Sequence, residues 1–116
     1  MSEELKGVME LLLPSYLIEH FKIVKIDASS GKIKLYLEEK IEVPEEYKNL
    51  NLIGHGFHKQ STIKDFPIRG KQVFLYVKRR RWLDKLTNQV YSRDWKVTAK
   101  GTRMTEEFAA FLKELD

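Results

Sequence analysis

The sequence predicts an α+β domain: an antiparallel β-hairpin and a β-meander with short N-terminal and C-terminal helices. Three observations predict it. Apolar residues recur at helical spacing near both ends of the chain. Between those ends, runs of alternating apolar and polar residues are punctuated by Gly-containing turns. The chain has 116 residues, 42% hydrophobic and 33% charged, enough for one domain with one modest core. The expected organisation is a single domain over 1–116: a helical start at 1–20, a β-hairpin at 21–40, a basic β-meander at 60–98 and a helix at 105–115.

Each element has a local reason. Leu5, Val8, Met9 and Leu12 recur at helical spacing with Glu3, Glu4 and Glu10 on the flanks, which predicts a short first helix. Pro14 stops it and can open a second, Ser15 to His20, with Leu17, Ile18 and Phe21 packing inward. Phe21 to Asp27 reads as a strand, Ala28 to Gly31 as a turn, and Lys32 to Glu38 as a second strand with Ile33, Leu35 and Leu37 on one face. Val43 to Tyr47 breaks the pattern and reads as an acidic loop or short helical turn. Ser61 to Phe66 is the next strand and Pro67 to Gly70 its turn. The following strand alternates Val73, Leu75 and Val77 with Phe74, Tyr76 and Lys78 and runs on to Trp82. Asp84 to Gln89 is a polar reversal, and Val90 to Val97 returns as a further strand. Thr105 N-caps the last helix, whose first turn holds Glu106 and Glu107 and whose stripe is Phe108, Phe111, Leu112 and Leu115. A helix that short needs the domain, a second copy or a following segment to pack on.

Composition excludes several classes. Cysteine is absent, which removes disulfides, thiol nucleophiles and thiolate zinc sites. No apolar run is long enough to cross a bilayer as a helix, and the acidic start Met1-Ser2-Glu3-Glu4 does not resemble a secretory signal. A cytoplasmic protein with no membrane partner is expected. The formal net charge is +4, but residues 59–103 hold 13 Lys/Arg against 3 Asp/Glu. A basic block this dense suggests an anionic partner; a merely lysine-rich solvated surface is the alternative.

The feature that carries most chemistry is Lys78-Arg79-Arg80-Arg81-Trp82. On a continuous strand, Phe74, Tyr76, Lys78, Arg80 and Trp82 would share one face as an aromatic-basic ladder. Guanidinium groups bind phosphates bidentately, and aromatic rings stack on bases. Arg69, Lys71, Arg93, Lys96, Lys100 and Arg103 lie in flanking segments. The candidate nucleic-acid-binding set is therefore Arg69, Lys71, Tyr76, Lys78, Arg79, Arg80, Arg81, Trp82, Arg93, Lys96, Lys100 and Arg103. The competing reading is a strand end whose basic residues guard an edge.

Other motifs point to little chemistry. His55 and His58 flank Gly56, with His20 remote, and read as a turn with exposed imidazoles; no metal or other cofactor is expected. Glu38 and Glu39 are adjacent on a strand and point to opposite faces, so they cannot share a site. No nucleophile elbow surrounds any serine. No catalytic set is found, and an enzyme is the least supported class.

The stretch Ile63-Lys64-Asp65-Phe66-Pro67-Ile68-Arg69-Gly70-Lys71, followed by Val73 to Val77 and Lys78-Arg79-Arg80-Arg81-Trp82, resembles the N-terminal region of certain bacterial insertion-sequence transposases. There a "D-x-P-x-x-G-x-x-V" turn leads into a strand ending in "R-R-R-(aromatic)". Thr102-Arg103-Met104-Thr105 with Glu106 to Leu115 is similar to the continuation that follows. The resemblance covers residues 60–115, and residues 1–50 less specifically. In such relatives the strand belongs to a zinc ribbon with two cysteine pairs. Here His55 to Lys59 and the Asp84 to Gln89 turn stand where the knuckles would fall, so the resemblance implies a degenerate, metal-free ribbon. It further implies a non-catalytic module that binds double-stranded element-end DNA, beside a transposase catalytic domain or subunit on a continuing or separate chain. The runner-up is a protein-interaction or oligomerisation module that presents its terminal helices to that subunit or to a second copy as a homodimer. RNA is not separable from DNA by sequence physics.

Overall fold

A computed structural model describes residues 3–13 and 15–93. Among these, the chain forms helices α1 (Glu3–Leu12) and α2 (Ser15–His20). Seven strands follow: β1 (Phe21–Ser29), β2 (Lys32–Glu39), β3 (Leu52–Phe57), β4 (Ser61–Ile68), β5 (Lys71–Lys78), β6 (Arg80–Asp84) and β7 (Gln89–Tyr91). A single 3₁₀ turn, Glu45–Tyr47, lies between β2 and β3. The α+β class with β-hairpins is what the sequence predicts. The return strand expected over Val90 to Val97 is present as β7, which begins one residue earlier and ends at Tyr91. Residues 94–97 of that expectation lie outside the described residues, and so does the helix expected at 105–115.

The strands form two sheets. Four strands line up as β1-β2-β5-β4 and three as β3-β6-β7. The expected hairpins are present, as β1 pairs antiparallel with β2 and β4 with β5. The central pair is different: β2 runs parallel to β5, from Lys32 opposite Gln72 to Glu38 opposite Lys78. The sequence expectation names only antiparallel hairpins, and this parallel pairing joins two of them in one sheet. A parallel pair needs a long crossover, and here the segment containing β3 and β4 supplies it.

The core lies on one face of the four-stranded sheet. Phe21, Ile23, Leu35, Leu37, Val73, Leu75 and Val77 are buried there with Met9, Leu13 and Leu17 from the helical start. Leu17, Ile18 and Phe21 pack inward as predicted. The stripe predicted for α1 does not: Met9 is buried, but Leu5, Val8 and Leu12 are exposed. The helix lies with its Met9–Leu13 edge on the core, residues four apart and one turn along.

Two irregularities set the faces of the sheet. A bulge at Val24 separates the pairs Ile23–Leu37 and Lys25–Tyr36. It lets Phe21 and Ile23 point inward before it, and Ile26 after it, where strict alternation would have put Lys25 in the core. The second is a break at Arg79. The single strand expected to reach Trp82 is split there, and β6 joins the other sheet. Buried positions are odd-numbered through Val77 and even-numbered at Trp82 and Asp84. The break therefore removes Arg80 and Trp82 from the ladder predicted with Phe74, Tyr76 and Lys78.

Candidate nucleic-acid interface

The outer face of the four-stranded sheet is built from three rows of opposed residues. The register places Lys25, Tyr36, Tyr76 and Thr62 in one row, and Asp27, Lys34, Phe74 and Lys64 in the next. Lys22, Glu38 and Lys78 form the third. Residues opposite one another on neighbouring strands are close enough to touch. Tyr36 and Tyr76 accordingly stack, with centroids 4.8 Å apart and planes inclined by 14°. Lys25 Nζ lies 5.3 Å from the Tyr36 centroid, a cation–π contact. Five ammonium groups and two carboxylates thus surround a half-buried aromatic centre.

Tyr76 and Lys78 belong to the set predicted from sequence, but Tyr36, Lys25, Lys34 and Lys64 do not. Alternation alone marks Tyr36 as outward-facing. Its place beside Tyr76 depends on the parallel register of β2 with β5, a non-local pairing that no periodicity reports.

The arginine run divides between two environments. Arg80 turns to Glu39: its backbone N–H donates to Glu39 Oε1 at 3.1 Å, and its Nε donates to the Glu39 carbonyl at 2.8 Å. Arg93 joins it, with Nε 3.4 Å from Glu39 Oε2 and Nη2 donating to the Glu42 carbonyl at 3.2 Å. The carboxylate side chain is 1% exposed and that of Arg93 8%. Burial pushes the Glu39 carboxyl above its ordinary range, and the Arg80 N–H and Arg93 partly oppose that. Glu39, which the sequence assigns to no site, is the ionic link between the sheets.

Arg79 and Arg81 face elsewhere. The His58 N–H donates to the Arg79 carbonyl at 2.8 Å, and Arg81 Nε donates to the His55 carbonyl at 3.2 Å. His58 Nε2 hydrogen-bonds Ser92 Oγ, and the Tyr47 hydroxyl donates to the Ser92 carbonyl at 2.9 Å. Burial lowers the His58 pKa first, and Arg79 and Arg81 lower it further. The residues around His55 form strand β3 rather than the expected turn. A bulge between Gly54 and Phe57, with Gly56 at φ 71°, bends it; glycine takes that left-handed conformation without steric cost.

The other predicted positions scatter. Arg69 and Lys71 are exposed at the β4–β5 turn. Trp82 is 2% exposed and belongs to the interior. Lys96, Lys100 and Arg103 lie outside the described residues. Phe57 sits where the two sheets meet, with Arg80 Cζ 4.6 Å and Lys78 Nζ 5.8 Å from its ring centroid.

The segments at the ribbon's implied knuckles lie at opposite ends of one ladder, since Leu52 pairs with Asp84 and Phe57 with Arg80. Two knuckles around one metal would have to meet at the same end. Among the described residues no three His, Asp or Glu side chains converge as metal ligands. No helix among them is long and apolar enough to cross a membrane. Fold and site together define an α+β chain with a basic, aromatic sheet face. Comparison with known proteins finds no matching family model, curated protein or solved structure.

Proposed function

We propose that the chain is a non-catalytic DNA-binding module whose contact surface is the outer face of the four-stranded sheet. The observation that supports this most is the Tyr36–Tyr76 stack in rows with Lys25, Lys34, Lys64, Lys78 and Lys22. Ammonium groups on a sheet face neutralise successive phosphates, and aromatic side chains contact bases and sugars. The element-end DNA of an insertion sequence, with a transposase catalytic domain or subunit as protein partner, is the finer form of this proposal. It rests on the resemblance in residues 60–115.

Fluorescence anisotropy with labelled duplex and single-stranded DNA across a salt series tests it. Affinity should fall with salt at a log–log slope of about −0.9 per neutralised phosphate on duplex and about −0.7 on single strands. Tyr36→Ala and Tyr76→Ala should each weaken binding by about 1–3 kcal/mol if their rings stack on bases. Lys34→Glu should reduce the slope. No binding to either DNA at low salt would sink the reading, and clear preference for an RNA of the same sequence would move it to RNA. Arg80 is a poor probe, because its removal strips a partner from buried Glu39.

A second reading, a protein-interaction or oligomerisation module, is favoured by one observation. Val8, Leu11 and Leu12 of α1 are 53%, 86% and 54% exposed, and clustered exposed apolar residues mark contact surfaces. Sedimentation would show mass rising with concentration, and Leu11→Asp would abolish it.

A further inference from the structure

The odd-numbered arginines of the run are not accounted for by the sheet face or by Glu39. We infer that His58, Arg79 and Arg81 form a phosphate-binding site on the three-stranded sheet, completed by the hydroxyl of Ser92. This site is distinct from the tyrosine-lysine face and does not depend on it.

The backbone brings the four residues together. The His58 N–H to Arg79 carbonyl bond sets those residues opposite one another. Arg80 meets the ring of its partner Phe57, so Arg81, the next residue of β6, projects to the opposite side. Tyr91, the last residue of β7, pairs with Trp82, and Ser92 follows it directly. The His58 Nε2 to Ser92 Oγ hydrogen bond places these side chains on one face.

The chemistry of the group calls for an oxyanion. Arg79 Nε is buried and has no hydrogen-bond partner among the described residues. Arg81 donates its Nε to a neutral carbonyl. Neither arginine has an ion-pair partner among the described residues, whereas Arg93 is neutralised by Glu39. The charges that act on His58 are Arg79 and Arg81, both cationic. Buried donors go unsatisfied rarely in folded proteins, and a guanidinium fork matches a phosphate bidentately. In the neutral tautomer that carries its proton on Nδ1, Nε2 accepts a hydrogen bond from the Ser92 hydroxyl. A bound oxyanion reverses the local field and favours imidazolium, formed with one proton from solvent. Nε2–H then donates to Ser92 Oγ, and the hydroxyl proton turns to the anion. A phosphate oxyanion has two sources, free inorganic phosphate and a nucleic-acid phosphodiester.

Imidazole and guanidinium NMR of the full chain tests the site. Inorganic phosphate is titrated at constant ionic strength set by chloride, and an oligonucleotide lacking terminal phosphates is titrated in parallel. Phosphate should move the His58 titration midpoint upward and saturably, shift the Arg79 Nε–H signal, and leave His20 unchanged. Arg79→Lys, checked for an unchanged unfolding midpoint, should weaken phosphate binding by about tenfold or more. The same signature from the oligonucleotide assigns the site to nucleic-acid phosphate; the signature from phosphate alone assigns it to free phosphate. No response of His58 to either beyond that of chloride overturns the inference. Tyr36→Ala should leave the phosphate response intact, so the failure of either surface is visible separately.

Discussion

At the scale of single residues, Glu39 decides more than any arginine in the basic run. An isolated buried carboxylate is costly, and its two arginine neighbours make it tolerable. Removing one partner of such a buried pair costs about 3–5 kcal/mol because the other charge is left uncompensated. Arg93→Ala should therefore lower unfolding free energy by about 3 kcal/mol in urea titration, while Lys71→Ala at the exposed turn stays within about 0.5 kcal/mol. The raised Glu39 carboxyl gives a pH signature of definite sign. The native state holds this proton to higher pH than the unfolded chain does. Stability from this group therefore falls as pH rises from the ordinary carboxylate range to the raised native value, then levels. Glu39→Gln should flatten that part of the stability profile; an unchanged slope would show that another group produces it. Alternation places Glu38 and Glu39 on opposite faces, as found, but does not report the burial of Glu39. Nothing local signals that two arginines, 41 and 54 residues further on, return to it.

At the scale of elements, the β4–β5 turn shows how backbone chemistry holds the aromatic face. Arg69 and Gly70 both take positive φ, 49° and 77°, as a two-residue hairpin turn with the right twist requires. Glycine does so freely, and arginine pays a steric penalty. Arg69→Asn should stabilise the domain by about 0.5–1 kcal/mol, since asparagine tolerates this conformation. Gly70→Ala should destabilise by about 1 kcal/mol from conformation alone, because an added Cβ meets nothing within 4 Å. Chemical denaturation of both variants checks the pair; equal midpoints would count against a strained turn. The strands themselves were legible wherever alternation ran unbroken, as in Ile33-x-Leu35-x-Leu37 and Val73-x-Leu75-x-Val77. It failed at Val24 and Arg79, where a bulge and a strand break change which side faces the core. It failed also at β3, whose Gly54-His55-Gly56 looks like a turn and is a strand only because β6 pairs with it.

For the whole molecule, the two sheets are joined where β5 gives way to β6 and where Glu39 of β2 meets Arg80 and Arg93. Local stability follows such connections, and regions with few buried contacts open first. In hydrogen exchange, Glu39→Gln should speed the amides of Trp82 and Leu83 more than those of Leu35 and Leu75. Uniform acceleration would mean that both sheets open as one unit. The sequence by itself determined the class, the first hairpin, the inward faces of β2 and β5, and the concentration of basic residues after position 58, since periodicity and composition are local and survive in one dimension. Only the tertiary structure decided that β2 lies parallel to β5 with Tyr36 on Tyr76, that Trp82 is interior, and that the arginines divide between a buried carboxylate and a partly buried histidine. Those outcomes depend on pairings between distant segments, whose register is fixed by burying one common apolar face and not by any residue's own preference.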